Sequence, residues 1–197
     1  MWHRWSKPQP APEPELSDEA LLPAIARGEE PAFLAVYRRR QASIFRYAVH
    51  LCGDHDIAAE TVQETFLALL RGAGQLDPRR GTVLAWLFAV ARNQVLRQVR
   101  SRRQHLSLEE EEHPEPVAAG CVIAELEQEQ LSAHLRELMA TLPAVYREVL
   151  VLCDMQELSY EEVAAIAGCP TGTVRSRLHR ARAMLAGKLR PLVGRSL

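Results

Sequence analysis

The sequence lacks the residue patterns that mark metal sites and most enzyme active sites. Its four cysteines show neither CxxC nor CxxH spacing, which argues against a zinc site. Its histidines do not pair with carboxylates at a ligand spacing such as HExxH, and the chain has neither a glycine-rich phosphate loop nor a nucleophile elbow. We therefore expect no catalytic residue, no metal, no cofactor and no small-molecule substrate.

Long hydrophobic runs are also missing from the chain. No apolar segment approaches membrane-spanning length, so direct membrane insertion is not expected. Residues 1–16 are rich in proline and lack the apolar core of a signal peptide, which predicts a disordered start. Dispersed cysteines without a secretory signal are typical of a protein in the reducing cytoplasm.

The net charge is close to zero, but the charged residues are segregated. The formal net charge is −1. Residues 71–105 hold eight arginines and one acid, residues 106–129 hold eight glutamates and no lysine or arginine, and residues 171–197 hold seven basic residues and no acid. Two separated basic surfaces suggest two contacts with a polyanion. The acidic block between them either occupies a basic groove on a partner or is simply disordered.

No segment keeps the alternation of a β-strand, whereas helical periodicity begins near Ser17 and recurs along the chain. A loop with several glycines interrupts it at 72–81, and an acidic stretch containing Pro114 and Pro116 interrupts it again. The sequence predicts an all-α fold, with two small helical domains at 17–105 and 122–197 joined by a flexible acidic linker at 106–121. The third predicted helix is expected to turn four apolar residues inward: Val62, Phe66, Leu69 and Leu70.

The C-terminal domain is predicted to end in a helix-turn-helix, the shape of a DNA reader. Ser159 is a good N-cap, and Glu162 follows three residues later, as a capping box requires. Gly168 ends the first helix and Pro170 prevents its continuation. The second helix has arginines outside one apolar stripe, which consists of Val174, Leu178, Ala181 and Leu185. A solvated basic helix at a chain end is the alternative.

Three stretches of the chain resemble a known family. Residues 59–66 are AETVQETF, and residues 85–93 are AWLFAVARN. The third stretch runs from LPAVYREVL at residues 142–150 through LSYEEVA at 158–164 to GTVRSRL at 172–178. In this order they are similar to the bacterial RNA polymerase sigma factors of the extracytoplasmic-function group, and the resemblance covers residues 18–189. It implies core RNA polymerase (clamp and flap regions) and promoter DNA as partners, and control by an anti-sigma factor.

The first stretch is similar to the helix with which this family docks on the polymerase clamp. The resemblance implies polymerase contacts for Asp56, Glu60, Gln63 and Glu64. The family usually has an acidic residue where this chain has Thr61, which predicts one charge contact fewer. A solvated polar face beside the core stripe is the alternative for Gln63 and Glu64.

The second stretch is similar to the family's promoter-melting helix. In the family, the preceding loop, here residues 76–82, forms a pocket for a base flipped out of the minus-ten element. Unstacking a base costs roughly a few kcal/mol, which the pocket must offset by stacking and hydrogen bonds. Trp86 and Phe88 are expected in the core. The resemblance implies minus-ten contacts for Asp77, Arg79, Arg80, Thr82, Asn93, Arg97 and Arg100.

The helix-turn-helix is similar to the family's reader of the minus-thirty-five element. Arginine can hold a phosphate or bind a guanine edge through two hydrogen bonds. We expect Arg177 and Arg182 to suit phosphates, and the other residues at the front of the helix to face the major groove. The implied contact residues are Tyr160, Thr173, Arg175, Ser176, Arg177, His179 and Arg180.

The expected mechanism involves no catalysis by this chain. An alternative sigma factor of this kind binds core polymerase and directs promoter recognition and melting, so that binding energy offsets base unpairing. Because free family members usually bind DNA poorly, we expect domain packing or an anti-sigma factor to conceal the basic faces. The main alternative is a free-standing helix-turn-helix regulator with a helical sensor domain, which would not need a second DNA face.

Overall fold

The computed structural model describes residues 16–106 and 137–193, without the side chains of 103–106 and 190–193. All regular structure in these ranges is helical, which confirms the all-α prediction for them. The predicted proline-rich start, the acidic linker and the beginning of the second domain lie outside the described residues. The helices are α1 Asp18–Ala26, α2 Glu30–Cys52, α3 His55–Gly72, α4 Val83–Leu106, α5 Ala144–Leu150, α6 Tyr160–Ala167 and α7 Thr171–Val193.

Helix ends follow from side chains close in sequence. The Ser17 hydroxyl caps α1 by accepting from the backbone N–H of Ala20 at 3.2 Å. The Asp54 carboxylate caps α3 by accepting from the backbone N–H groups of Asp56 and Ile57. Both caps satisfy donors that the first turn of a helix leaves without an intrahelical partner. The expected start at Ser17 is therefore confirmed.

The helices α1 to α4 form one group around an apolar core. Its largest fully buried side chains include Tyr47, Phe88, Ile44, Leu69 and Leu87. The rings of Tyr47 and Phe88 meet edge to face, with centroids 5.0 Å apart. The prediction of a core position is confirmed for Phe88.

The prediction that Leu70 of the third helix faces inward is wrong. Leu70 is 43% exposed, whereas Leu69 beside it is fully buried. The buried stripe of α3 is set by the positions of α2 and α4, which both pack against this helix. Leu70 lies beyond the edge of that stripe.

The helices α5 to α7 form the second group. A π-helical turn, Val151–Met155, continues α5. The predicted stripe of α7 is buried at Val174, Leu178 and Ala181, while Leu185 is half-buried. These residues pack against the inner faces of α5 and α6.

The helix-turn-helix geometry is confirmed in detail. The Ser159 hydroxyl accepts from the Glu162 backbone N–H, and the Glu162 carboxylate accepts from the Ser159 backbone N–H, which completes the capping box. Gly168 ends α6 with φ of 63°, a left-handed conformation that suits glycine.

The two groups are in contact in the described structure. Helix α4 packs against α6, and α2 packs against α5. Across the described helices, none is long and apolar enough to cross a membrane. Within the same residues, no group of three His, Cys, Asp or Glu side chains could hold a metal ion.

Candidate nucleic-acid and protein interfaces

The acidic and amide residues predicted on α3 share one face of that helix. Asp56, Glu60 and Gln63 are exposed, and Glu64 is half-buried beside them. Their spacing of four, three and one residues places them on neighbouring turns of one face. Leu67 extends this face by one turn and is 40% exposed. The face thus combines hydrogen-bonding groups with an exposed apolar residue, a composition suited to a protein partner.

Thr61 lies on the buried side of α3. It is fully buried, as is Thr65 one turn later. This position faces the core of the chain, and the predicted loss of a charge contact with polymerase stays a prediction. An acidic side chain placed there would need a buried partner.

The loop before α4 is held by its own side chains. Asp77 accepts from the backbone N–H of Arg79 at 3.0 Å and forms two parallel bonds with the same guanidinium, from Nε to Oδ1 and from Nη2 to Oδ2, each 3.0 Å. Hydrogen bonds from Arg79 hold the pKa of Asp77 below its ordinary value. Arg80 is exposed, and Gly81 closes the turn at φ of 149°, where a side chain would be strained. Of the predicted contacts, Asp77 shapes the loop, whereas Arg80 points to solvent.

Thr82 joins this loop to the helix-turn-helix. Its Oγ1 accepts from the backbone N–H of Ala85 at 3.2 Å and donates to Glu162 Oε1 at 2.5 Å. Burial raises the pKa of Glu162, but hydrogen bonds from Thr82 and Ser159 outweigh that effect and lower it. A cavity of about 660 Å³ lies between the loop and α6. Trp86, half-buried, is part of its wall.

The predicted residues of α4 form a basic groove. Asn93, Arg97 and Arg100 are exposed and line a depression of about 420 Å³ together with Arg92 and Leu96. Arginines one turn apart on an exposed helix face can follow a phosphate backbone. The structure therefore brings these three predicted residues together.

The helix-turn-helix presents its predicted residues at the start of α7. Arg175, Ser176, His179 and Arg180 are exposed on faces away from the buried stripe. The Arg175 guanidinium lies 5.9 Å from the centre of the Tyr160 ring, which links the first helix to the second. The remaining predicted residues, Thr173 and Arg177, are half-buried.

Two further arginines are held by carboxylates. Arg182 forms two bonds with Asp154 of the π-helical turn, at 2.9 and 2.5 Å, so part of its guanidinium is engaged within the protein. Arg102 binds Asp54, the cap of α3. Both contacts join residues that are far apart in the sequence.

Sequence reasoning missed a buried polar cluster between the two groups. Glu148 of α5 is 6% exposed and binds Arg92 of α4 and Tyr47 of α2. Glu148 lies between Arg147 and Val149 in the sequence, and nothing nearby marks it as buried or paired. Only a contact between distant segments identifies it.

Comparisons with known proteins match both helical groups. A family model described as Sigma-70 region 2 matches residues 36–105, and one described as Sigma-70, region 4 matches residues 132–185. The first falls on α2 to α4, and the second includes α5, α6 and most of α7.

Curated relatives align along most of the chain. It is 33% identical over 187 residues to the ECF RNA polymerase sigma factor SigE of Mycolicibacterium smegmatis, covering 87% of this chain and 68% of the relative. It is 31% identical over 192 residues to the ECF RNA polymerase sigma-E factors of Salmonella typhimurium and Escherichia coli, covering 92% of this chain and 98% of each relative.

Solved structures share the arrangement of helices. The sigma factor RpoE of Bartonella quintana, in a co-crystal with the anti-sigma factor NepR, matches with a TM-score of 0.66 and 28% identity over 76% of this chain and 91% of that chain. CnrH, solved with the cytosolic domain of CnrY, has the same fold, with a TM-score of 0.63 and 24% identity over 88% of this chain and 97% of that chain.

Proposed function

The chain belongs to the extracytoplasmic-function (ECF) group of RNA polymerase sigma factors, and we propose which of its surfaces contact the polymerase and which contact each promoter element. It is an alternative sigma factor, which binds core RNA polymerase and directs promoter recognition and DNA melting at the start of transcription. We assign residues 17–105 to a region 2 domain, 122–197 to a region 4 domain and 106–121 to the acidic linker. The two family models fall within or close to these bounds.

The exposed face of α3 is the proposed contact with the polymerase clamp. Asp56, Glu60, Gln63 and Glu64 offer carboxylates and an amide, and Leu67 adds apolar area. Polar groups that fix orientation around an apolar contact are typical of protein interfaces. We propose that the region 4 domain contacts the flap.

The loop 76–82 and the groove of α4 are the proposed minus-ten interface. Asp77 and Arg79 hold the loop in shape, while Thr82 and Arg80 supply groups for a flipped base or its phosphate. Asn93, Arg97 and Arg100 then follow the backbone of the melted strand. Binding along this surface offsets the cost of unstacking.

The start of α7 is the proposed reader of the minus-thirty-five element. Arg175, Ser176, His179 and Arg180 are exposed there, as a recognition helix in the major groove requires. The contact between Arg175 and the ring of Tyr160 fixes the direction of one of these guanidinium groups.

An anti-sigma factor is the proposed regulator. The support is the likeness to the Bartonella quintana sigma factor, which was solved with an anti-sigma factor bound. We further propose that the protein acts in the cytoplasm, where core polymerase is found, and that it works by binding alone, without a catalytic step of its own.

The observation that carries this assignment is the separation of one acidic and amide face, on α3, from two exposed basic faces, on α4 and α7. The test is co-purification with core RNA polymerase, followed by run-off transcription on genomic fragments. The Gln63→Ala, Glu64→Ala double variant should lose stoichiometric binding and specific transcripts. Glu30→Ala, an exposed glutamate at the start of α2, is the control and should retain both.

Two results would contradict the assignment. If the wild-type protein did not bind core polymerase but bound specific duplex DNA by itself, it would be a free-standing regulator. If the double variant bound as well as the wild type, the docking face would lie elsewhere.

A further inference from the structure

The loop 76–82, the proposed minus-ten contact, has α1 beneath both of its ends. A short 3-10 turn, Ala73–Gln75, leads into the loop and packs against α1. The fit there is close, because a Cβ atom added to Gly74 would lie 3.5 Å from the Cβ of Ala26. At the other end, the loop joins α4 at Val83, which is buried and hydrogen-bonded to α1. The placement of the loop therefore depends on α1.

A glutamate of α1 makes the contact at the exit of the loop. Glu19 Oε1 accepts from the backbone N–H of Val83, the first residue of α4, at 3.0 Å. The first turn of a helix leaves such donors without an intrahelical partner, and the helix dipole favours a negative charge nearby. Burial raises the pKa of Glu19, but the hydrogen bonds that it accepts, first the one from Val83, outweigh burial and lower the pKa below its ordinary value. The carboxylate is therefore charged at neutral pH.

The loop itself is held by bonds between residues close in sequence. The backbone N–H of Arg80 donates to the Asp77 carbonyl at 2.9 Å, and the Asp77 carboxylate binds the Arg79 guanidinium. Gly81 is exposed and has φ of 149°, where the absence of a side chain leaves the backbone free to turn. Because this glycine lies two residues before α4, the loop alone does not fix the direction in which it meets that helix.

Thr82 and Glu19 hold the first turn of α4 in different ways. Thr82 Oγ1 accepts from the backbone N–H of Ala85 at 3.2 Å, which is a local cap. Glu19 ties the same turn to another helix, from 64 positions away in the sequence. The residues that line the cavity beside the loop include Thr82 and Val83 but not Glu19. Glu19 therefore acts on DNA in this cavity through Val83.

A loop that already has its receptive shape binds a flipped base more tightly than one that must be ordered. Ordering a loop on binding costs free energy and so lowers the affinity. If only a fraction of the molecules hold the loop in that shape, the apparent affinity falls by that fraction. A contact that fixes the loop before DNA arrives therefore raises the affinity for the minus-ten element without touching DNA.

We propose that Glu19 is a positioning residue of the minus-ten interface: its carboxylate, by accepting from the Val83 backbone, fixes the place where the loop 76–82 joins α4. This inference rests on the proposed assignment of that loop to the minus-ten element. It implies that Glu19 affects the selection of minus-ten bases, and that it affects neither polymerase docking nor reading of the minus-thirty-five element.

Two conservative variants separate the hydrogen bond from the charge. Glu19→Asp keeps a negative charge in the first turn of α1, but its side chain is one methylene shorter, which takes the carboxylate out of hydrogen-bond range of Val83. Glu19→Gln loses the charge and keeps an acceptor oxygen at the same reach. Glu30→Asp, the same change at an exposed acid in the first turn of α2, is the matched control.

Hydrogen exchange of residues 76–86 in the full chain, followed by mass spectrometry, measures how firmly the loop is held. Glu19→Asp should speed this exchange about tenfold, as expected for the loss of one hydrogen bond to a charged group. Glu19→Gln should change it by at most about twofold, because a neutral hydrogen bond remains. Glu30→Asp should exchange like the wild type.

Holoenzyme binding to a promoter found by run-off transcription, with its minus-ten element pre-opened by mismatches, measures the effect on DNA. Glu19→Asp should bind about tenfold more weakly and lose part of its preference for the native minus-ten bases, whereas Glu19→Gln should stay within about twofold of the wild type. Substitutions in the minus-thirty-five element should weaken all the proteins equally. Affinity for core polymerase should be unchanged throughout.

Three results would overturn the role of Glu19. The first is wild-type exchange and wild-type minus-ten binding in Glu19→Asp. The second is the reverse order, with Glu19→Gln impaired and Glu19→Asp normal, because the charge in α1 would then matter and the contact with Val83 would not. The third is faster exchange without weaker minus-ten binding, since Glu19 would then serve stability alone.

Failure of the underlying assignment gives a different result. If Arg80→Ala and Thr82→Ala both left minus-ten binding unchanged, the assignment of the loop 76–82 would fail, and this inference with it. If those two variants weakened binding while Glu19→Asp did not, the loop would keep its assignment and only the role of Glu19 would be lost.

Discussion

Replacing Asp18 by asparagine should destabilise the N-terminal helical group. Asp18 begins α1 and is 2% exposed. Its two oxygens bind Arg39 Nη1 and Arg40 Nε, each at 2.5 Å, and Arg39 Nη1 also donates to the Leu16 carbonyl at 3.1 Å. One carboxylate thus ties the start of α1 to α2.

The loss of stability expected for Asp18→Asn depends on how deeply its ion pairs are buried. Removing one partner of a buried ion pair costs about 3–5 kcal/mol, and a hydrogen bond to a charged group contributes about 1.5–3 kcal/mol. The side chains of Arg39 and Arg40 are 26% and 29% exposed, so they regain part of their hydration when the charge of Asp18 is lost. We therefore expect Asp18→Asn to lower the free energy of unfolding by about 2–3 kcal/mol, below the upper range for a fully buried pair.

Urea unfolding followed by circular dichroism measures this loss, with an unchanged slope as evidence that the same surface unfolds. Glu29→Gln is the control, because its ion pair with Arg27 has side chains 51% and 64% exposed. Surface pairs of this kind contribute little, so the control should lose at most about 0.5 kcal/mol. Equal losses for the two variants would refute the reasoning that burial makes the Asp18 contact strong.

Two other predictions concern the DNA face of α4 and the acid stability of α3. Arg100→Ala should lower the slope of log affinity against log salt for holoenzyme on promoter DNA by about one, whereas Arg46→Ala, on the exposed side of α2, should not change it. The backbone N–H of Ile57 and the guanidinium of Arg102 hold the pKa of Asp54 below its ordinary value of 3.8, so its stabilisation is complete above that pH and is lost as the pH falls through the folded-state pKa. Asp54→Asn should therefore reduce the fall in the urea midpoint of unfolding between about pH 5 and pH 2. A fall as large as that of the wild type would contradict this.

The helices and their ends could be predicted because they depend on neighbours. Ser17 and Ser159 cap helices whose first turns lie within three residues, and Gly168 adopts its left-handed conformation locally. The stripe of α7 was predicted from spacing alone and is buried at three of its four positions. The motifs that indicate the family are also short and local, on α3, on α4 and from α5 to the helix-turn-helix, so the family resemblance was visible in the sequence.

Burial at the edge of a stripe was harder to predict. Leu69 and Leu70 are both apolar and adjacent, yet one is fully buried and the other is 43% exposed. Periodicity gives the direction of a helix face, but the helices that pack against it set the width of the buried part. Thr61 illustrates the converse, since a polar residue lies fully inside the core.

The sequence by itself determined the class of fold, the helix-turn-helix and the family, because these depend on residues a few positions apart. Only the tertiary structure decided that Glu148 meets Arg92 and Tyr47, which are 56 and 101 positions away, and that Thr82 meets Glu162, 80 positions away. A glutamate between an arginine and a valine has the same local pattern whether it faces solvent or a distant arginine. Its partner is fixed by how two helical groups pack, and no short stretch of sequence encodes that packing.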